Sequence, residues 1–202
     1  MNLRPDLEII SEWIAPRSRV LDLGCGDGTL LTHLRDTRQA VGYGLEIDSA
    51  NIVECIRAGV NVIQTDLDAG LSDFDAASFD YVILSQTLQA VYYPDRLLDE
   101  MLRVARQGIV TFPNFGHWQC RVQIALGGHM PVSRTLPSEW YNTPNIHLCT
   151  LTDFEGLCRK KGITILERTV VDHAHHSSFM MRLLPNLFGE IAVYRFERKQ
   201  GQ

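Results

Sequence analysis

From residue 20 to residue 31 the chain reads Val-Leu-Asp-Leu-Gly-Cys-Gly-Asp-Gly-Thr-Leu-Leu, and no other run limits its fold as strongly. Apolar residues and Asp22 lead into Gly24, Gly26 and Gly28, and an apolar segment of helical character follows. The pattern predicts a buried strand that ends in a tight turn and opens a helix. Glycines at such a turn permit positive φ and let the backbone come close to a ligand. A turn built for phosphate offers bare N–H groups or a lysine. Here Asp22 places a negative charge at the carboxyl end of the strand, which favours a ligand with positive charge. Thr29 stands where the dinucleotide fingerprint G-x-G-x-x-G needs its third glycine.

The rest of the chain alternates between the two periodicities. Residues 5–14 put Ile9, Ile10, Trp13 and Ile14 on one helical face before Pro16. Strands are predicted at 19–23, 40–48, 60–64, 79–84, 108–112, 163–171 and 191–197. Helices are predicted at 28–34, 50–58, 95–106 and 152–161, with Ser49 as an N-cap and Gly59 and Gly162 as stops. Alternating strands and helices imply a parallel sheet with helices on both faces. The last two strands have no helical pattern between them, which points to an antiparallel pair at one edge. We expect one α/β domain over residues 1–202, with an elaborated segment at 113–150.

The pattern D-x-G-x-G-x-G resembles motif I of the class I S-adenosylmethionine (SAM) methyltransferases, and SAM carries both an ammonium and a sulfonium. That resemblance implies a Rossmann-like three-layer α/β/α sandwich with a seven-stranded, mostly parallel sheet and a reversed last strand. In open α/β sheets, ligands sit beyond the carboxyl ends of the strands where strand order reverses. Polar residues of this chain collect at those ends. Glu46 closes the second strand, where a carboxylate can accept ribose hydroxyls, and Gly44-Leu45-Glu46 matches the family's G-[IV]-[DE]. Asp48 competes for that role. Asp66, within Gln64-Thr65-Asp66-Leu67, resembles the family's acidic residue at the adenine amino group, and Ser85 and Gln86 are placed to reach the methionine part. The expected cofactor site comprises Asp22, Gly24, Cys25, Gly26, Gly28, Glu46, Ile47, Asp66, Leu67, Ser85 and Gln86, with SAM or S-adenosylhomocysteine as its ligand. Each acid alone would read as a helix cap or a solvated turn residue.

Composition narrows the classes. An apolar content of 45% with 21% charged residues describes an ordinary globular chain. A net charge of −5 gives no electrostatic reason to bind nucleic acid or an anionic membrane. No apolar run reaches the length of a bilayer span. Cys25, Cys55, Cys120, Cys149 and Cys158 form no C-x-x-C pair, and no export-type leader is evident, so reduced thiols and a cytoplasmic location are expected.

No catalytic residue is assigned. Methyl transfer mainly positions a nucleophile, and needs a general base only where a proton must leave. The stretch 85–94 carries no N-P-P-Y or other acceptor motif. His117 and His147, in the long irregular segment 113–150, are candidate bases, set against the plainer role of fixing a loop. His173, His175 and His176 suggest a metal, but no acid or cysteine completes a set, and an exposed turn is the better reading. No metal is expected. The Met- and Phe-rich segment 177–188 either covers the sheet or meets a partner.

Segments 20–31, 42–48, 84–89, 113–118 and 140–151 together resemble the methionine-biosynthesis protein MetW family over nearly the whole chain. That resemblance implies a SAM-binding fold that works with a homoserine O-acyltransferase of the α/β-hydrolase type. The chain itself has no G-x-S-x-G nucleophile elbow, so any acyl transfer belongs to the partner. Two functions are therefore expected in competition. One is a SAM-binding partner in homoserine acylation, and the other is a stand-alone SAM-dependent small-molecule methyltransferase.

Overall fold

A computed structural model describes residues 3–172 and 179–199. The seven strands are β1 (Arg19–Leu23), β2 (Val41–Glu46), β3 (Asn61–Gln64), β4 (Phe79–Ser85), β5 (Ala105–Pro113), β6 (Ile163–Val171) and β7 (Ile191–Arg198). They form one sheet in the order β3-β2-β1-β4-β5-β7-β6. β1 pairs in parallel with β2 and β4, and β4 in parallel with β5, whereas β7 is antiparallel to both β5 and β6. Strand order reverses between β1 and β4. That reversal opens a crevice at their carboxyl ends, the place where such sheets take ligands.

Helices cover both faces. On one side lie α1 (Pro5–Trp13), α2 (Thr29–Arg38) and α3 (Ser49–Arg57), whose Leu7, Ile10, Leu31, Leu34 and Cys55 pack with Val20, Ile83 and Ile109 of the sheet. On the other lie α4 (Pro94–Val104) and α6 (Leu151–Lys161), whose Leu98, Met101, Phe154 and Cys158 meet Leu21, Leu23, Val82, Val110 and Phe112. Successive residues of β1, β4 and β5 thus feed opposite cores, which explains why these strands are apolar throughout rather than alternating. Burying a side chain of the size of Ile or Phe contributes about 1.5–3 kcal/mol, so the central strands carry much of the stability.

Element boundaries follow local chemistry, with some departures from the sequence expectation. Asp48, not Ser49, caps α3, its carboxylate accepting from the N–H groups of Ala50 and Asn51. Thr150 and Asp153 form a capping box on α6, and Gly162 ends it in the left-handed conformation. α4 stops at Val104 because Ala105 already pairs with Phe79 and runs straight into β5. The segment 113–150 is not irregular throughout: α5 (Trp118–Val122) follows β5 and widens into a π-type turn at Gln123–Gly127. Two short helices, α7 (Phe179–Leu183) and α8 (Pro185–Phe188), lie between β6 and β7, where the sequence expectation has no helix. His173, His175 and His176 lie outside the described residues.

Candidate functional site

The glycine turn hangs from β2. The N–H groups of Gly24 and Cys25 both donate to the carbonyl of Leu45, at 2.8 and 3.0 Å. Gly24, Gly26 and Gly28 all have positive φ. A side chain at Gly26 would meet nothing within 4 Å, so the turn leaves open space there. By contrast, a Cβ at Gly28 would come within 3.1 Å of Cys55 and Val60, so Gly28 serves the packing of α2 against α3. The Cys25 thiol also points away from the opening, 3.7 Å from that of Cys55. Burial and the charge of Asp22 push it well above an ordinary thiol. A buried thiol held in its protonated form is a poor nucleophile.

Asp22 is the penultimate residue of β1, beneath the turn. It is 2% exposed, and its Oδ1 has no hydrogen-bond partner. Burial pushes its carboxyl up to about 7; nearby Arg4 opposes the rise and Glu46 adds to it. A buried carboxylate oxygen without a partner is costly unless a ligand supplies one. A ligand cation answers that need.

Glu46 closes β2 and ties the turn to the strand end. Its Oε2 accepts from Gly26 N–H at 2.8 Å, and its Oε1 accepts from Ile47 and Asp48 N–H at 2.8 and 2.9 Å. A carboxylate offers about four acceptor positions. One therefore remains for a ribose hydroxyl, and taking a second requires one N–H group to turn away. Asp48 caps α3 through Oδ1, which accepts from both Ala50 and Asn51 N–H. Asp66 lies past the end of β3, exposed, its carboxylate holding the N–H of Asp68. The Asp68 carboxylate in turn accepts from Tyr92 N–H, which ties the loop after β3 to the loop after β4. Ile47 is exposed and Leu67 partly so, flanking an open surface between Glu46 and Asp66. A cleft of about 610 Å³ lies elsewhere, lined by Thr29, His33, Asp36, Glu54 and Arg57 between α2 and α3, and includes none of these three acids.

At the end of β4, Ser85 Oγ accepts from Arg4 Nη2 at 2.9 Å. Gln86 has φ of 56°, unusual for a residue with a side chain, and its N–H donates to both the carbonyl and the hydroxyl of Thr111. Thr87 presses on the turn, its Oγ1 standing 2.9 Å from where a Cβ of Gly24 would be. Gln89 donates to the Gln86 carbonyl, and its own carbonyl accepts from Ile146 and His147 N–H. Glycine turn, β4 loop and segment 113–150 are thus in contiguous contact.

His147 is exposed, and its Nε2 lies 3.2 Å from the carbonyl of Tyr92, so it fastens that segment to the β4 loop. His117 is buried at the start of α5, where burial lowers its pKa. Asn114 binds the carbonyls of Asn186 and Gly189 and accepts from Gly116 N–H, joining the Pro113-Asn114-Phe115-Gly116 run to α8. Of the aromatic residues in these segments, Trp118, Trp140, Tyr141 and Phe179 are exposed and Phe115 is partly buried. Sequence reasoning missed Arg4, Thr111 and Asn186, which act across long sequence separations and carry no local motif. Among the described residues no three His, Cys, Asp or Glu side chains come together as a metal site, and no helix is long and apolar enough to cross a membrane.

The family model for "Methionine biosynthesis protein MetW" matches residues 4–196. The chain belongs to the MetW family. A curated relative, the "Bifunctional methionine biosynthesis protein MetXA/MetW" of Rhodopirellula baltica, is 37% identical over 98% of this chain. The chain spans about a third (33%) of that relative's length. Among solved structures, a SAM-dependent methyltransferase from Mesorhizobium loti superposes with a TM-score of 0.71 at 17% identity, covering 96% of this chain and 98% of that one. A chain from the complex of the Haloferax volcanii Trm112 methyltransferase activator with a putative methyltransferase gives 0.68 at 15% identity, covering 98% and 91%. At these identities the likeness speaks for the fold, the class I methyltransferase architecture, on which this MetW-family chain is built.

Proposed function

We propose that this chain binds SAM or S-adenosylhomocysteine at the ends of β1 to β4, and acts in methionine biosynthesis as the SAM-binding partner of a homoserine O-acyltransferase. The observation that carries the partnership is the fused relative, in which a MetXA part and a MetW part form one polypeptide. We take the MetXA part to be the α/β-hydrolase-type acyltransferase that the family resemblance implies. Fusion fixes two modules at high effective concentration, as expected where they act together. The ligand is supported by three local features: the partnerless oxygen of Asp22, the open space at Gly26, and the remaining acceptor position on Glu46.

The partner docks on the face made by α5 and the segment after it, where Trp118, Leu126, Trp140 and Tyr141 are exposed. Aromatic anchors of this kind dominate interface energies. The contact from the glycine turn through Thr87 and Gln89 to Ile146 gives ligand and partner a shared structural element. If both bias that element, each shifts the affinity of the other by one factor, typically five- to 150-fold.

The test joins calorimetry with a coupled assay. The chain is titrated with SAM and S-adenosylhomocysteine, alone and with the cognate acyltransferase, and homoserine acylation is followed with and without SAM. Saturable binding, lost in Gly26→Val, and acylation that depends on this chain are expected. No binding at about 1 mM ligand refutes the cofactor assignment. Acylation indifferent to this chain, alongside methyl transfer to a small molecule, replaces the partner reading with that of a free-standing methyltransferase.

A further inference from the structure

Arg4 has no assigned role, yet it is held at the mouth of the crevice with unusual care. Its Nε and Nη2 donate side-on to the two carboxylate oxygens of Asp6, at 2.8 and 2.9 Å. Nη2 also donates to Ser85 Oγ at 2.9 Å. Asp6 is fully buried, while the Arg4 side chain is about half exposed (51%). A buried carboxylate therefore orients a guanidinium that still faces solvent. An ion pair with one exposed member adds little stability by itself, and pinning a long side chain costs rotamer entropy. Three of the five N–H groups of Arg4 are used, and among the described residues the two on Nη1 have no partner. The bidentate fork is spent on Asp6, and the two divergent N–H groups of Nη1 remain to give a ligand carboxylate a single charge-assisted hydrogen bond.

Position supplies the second half of the inference. In the sheet, β1 lies between β2 and β4. Glu46 stands on the β2 side of Asp22, and Ser85, with Arg4 on it, stands on the β4 side. An adenosyl-amino-acid ligand with its ribose at Glu46 extends past Asp22 towards β4. Its far end is an α-amino acid, with one cation and one anion on the same carbon. The site offers one buried anion, Asp22, and one pre-oriented cation, Arg4.

We propose that Arg4 is a specificity-determining residue that receives the α-carboxylate of the ligand while Asp22 receives its ammonium. This rests on the SAM-binding reading above and sharpens it: the site selects zwitterionic adenosyl amino acids over adenosyl compounds that lack the carboxylate. Asp6 and Ser85 are positioning residues that orient the guanidinium with Nη1 outward.

Three probes separate the possibilities on the intact chain: SAM, decarboxylated SAM, which keeps the ammonium and sulfonium, and 5′-methylthioadenosine, which has neither end group. By calorimetry or equilibrium dialysis the wild type should bind SAM about ten- to a hundredfold more tightly than decarboxylated SAM, the worth of a charged hydrogen-bond pair. Arg4→Gln should remove that preference and leave the affinities for decarboxylated SAM and methylthioadenosine within about twofold. Arg4→Lys, which keeps the charge without a guanidinium oriented by Asp6 and Ser85, should restore part of it. Equal wild-type affinity for SAM and its decarboxylated form overturns the proposal without any variant. So does an Arg4→Gln protein that loses all three ligands alike, which marks Arg4 as a tether of α1 only. Binding of none of the probes by the wild type removes the SAM-binding reading, and this inference with it.

Discussion

Replacing Asp22 by asparagine tests whether the strand end is tuned for a ligand at the expense of the empty fold. Asp22 is sealed under the glycine turn with one oxygen lacking a partner. Burial raises its carboxyl from 3.8 to about 7, despite the opposing charge of Arg4. The folded chain therefore holds this proton more tightly than the unfolded chain. The stability this proton contributes is fully present below pH 4 and is lost as pH rises through about 7. The gap between 3.8 and about 7 corresponds to about 4 kcal/mol, a large part of the 5–15 kcal/mol typical of a domain. Asp22→Asn keeps the shape and abolishes the ionisation. Its stability relative to wild type should rise by about 2–3 kcal/mol between pH 5 and pH 8, most of it below pH 7, as read from urea unfolding at fixed temperature. The same variant should bind SAM about ten- to a hundredfold more weakly, having lost the counter-charge. In the wild type a bound cation favours the carboxylate, so binding near pH 7 should release protons, visible as a buffer-dependent heat. A stability difference that stays flat from pH 5 to pH 8 refutes the reasoning, whatever its absolute size.

Glu46→Ala should act on fold and ligand together, because three backbone N–H groups lose their acceptor. We expect a stability loss of about 1.5–3 kcal/mol in denaturant titrations, with SAM binding weakened at least tenfold. The double change Trp140→Ser and Tyr141→Ser removes two exposed aromatic rings that pack edge to face with each other. It should leave the unfolding midpoint nearly unchanged and weaken association with the acyltransferase by more than tenfold in pull-down or calorimetry. Unchanged association would move the docking face elsewhere.

The sheet was legible because its strands carry their signal locally. Val82, Ile83 and Leu84 are apolar in succession, as a strand buried on both faces requires, and Asp22, Glu46 and Ser85 fall at strand ends that any parallel reading brings to one side. Residue type alone does not place the cap of α3, since Asp48 and Ser49 are both good N-cap residues and only geometry decides between them. The boundary at Ala105 had no turn residue to announce it, because a cross-strand partner rather than a local signal ends α4. Contacts such as Arg4 with Ser85, or Asn114 with the Asn186 carbonyl, join residues 81 and 72 positions apart. Nothing in a single chain marks such pairs, and they hold the N-terminal arm and the segment after β5 in place around the crevice.

The order of strands in space differs from their order of synthesis. β6 leaves the ribosome before β7, yet among the described residues β7 is its one neighbour in the sheet and also covers the free side of β5. Until residues 191–198 emerge, β5 has an open edge and β6 has no partner strand, with Val110 and Phe112 on the first and Val170 and Val171 on the second. Open apolar edges are where nascent chains pair wrongly. Closing the sheet is therefore a late, single insertion, and a substitution in β7 should reduce the yield of folded protein during synthesis more than its cost to the finished structure suggests.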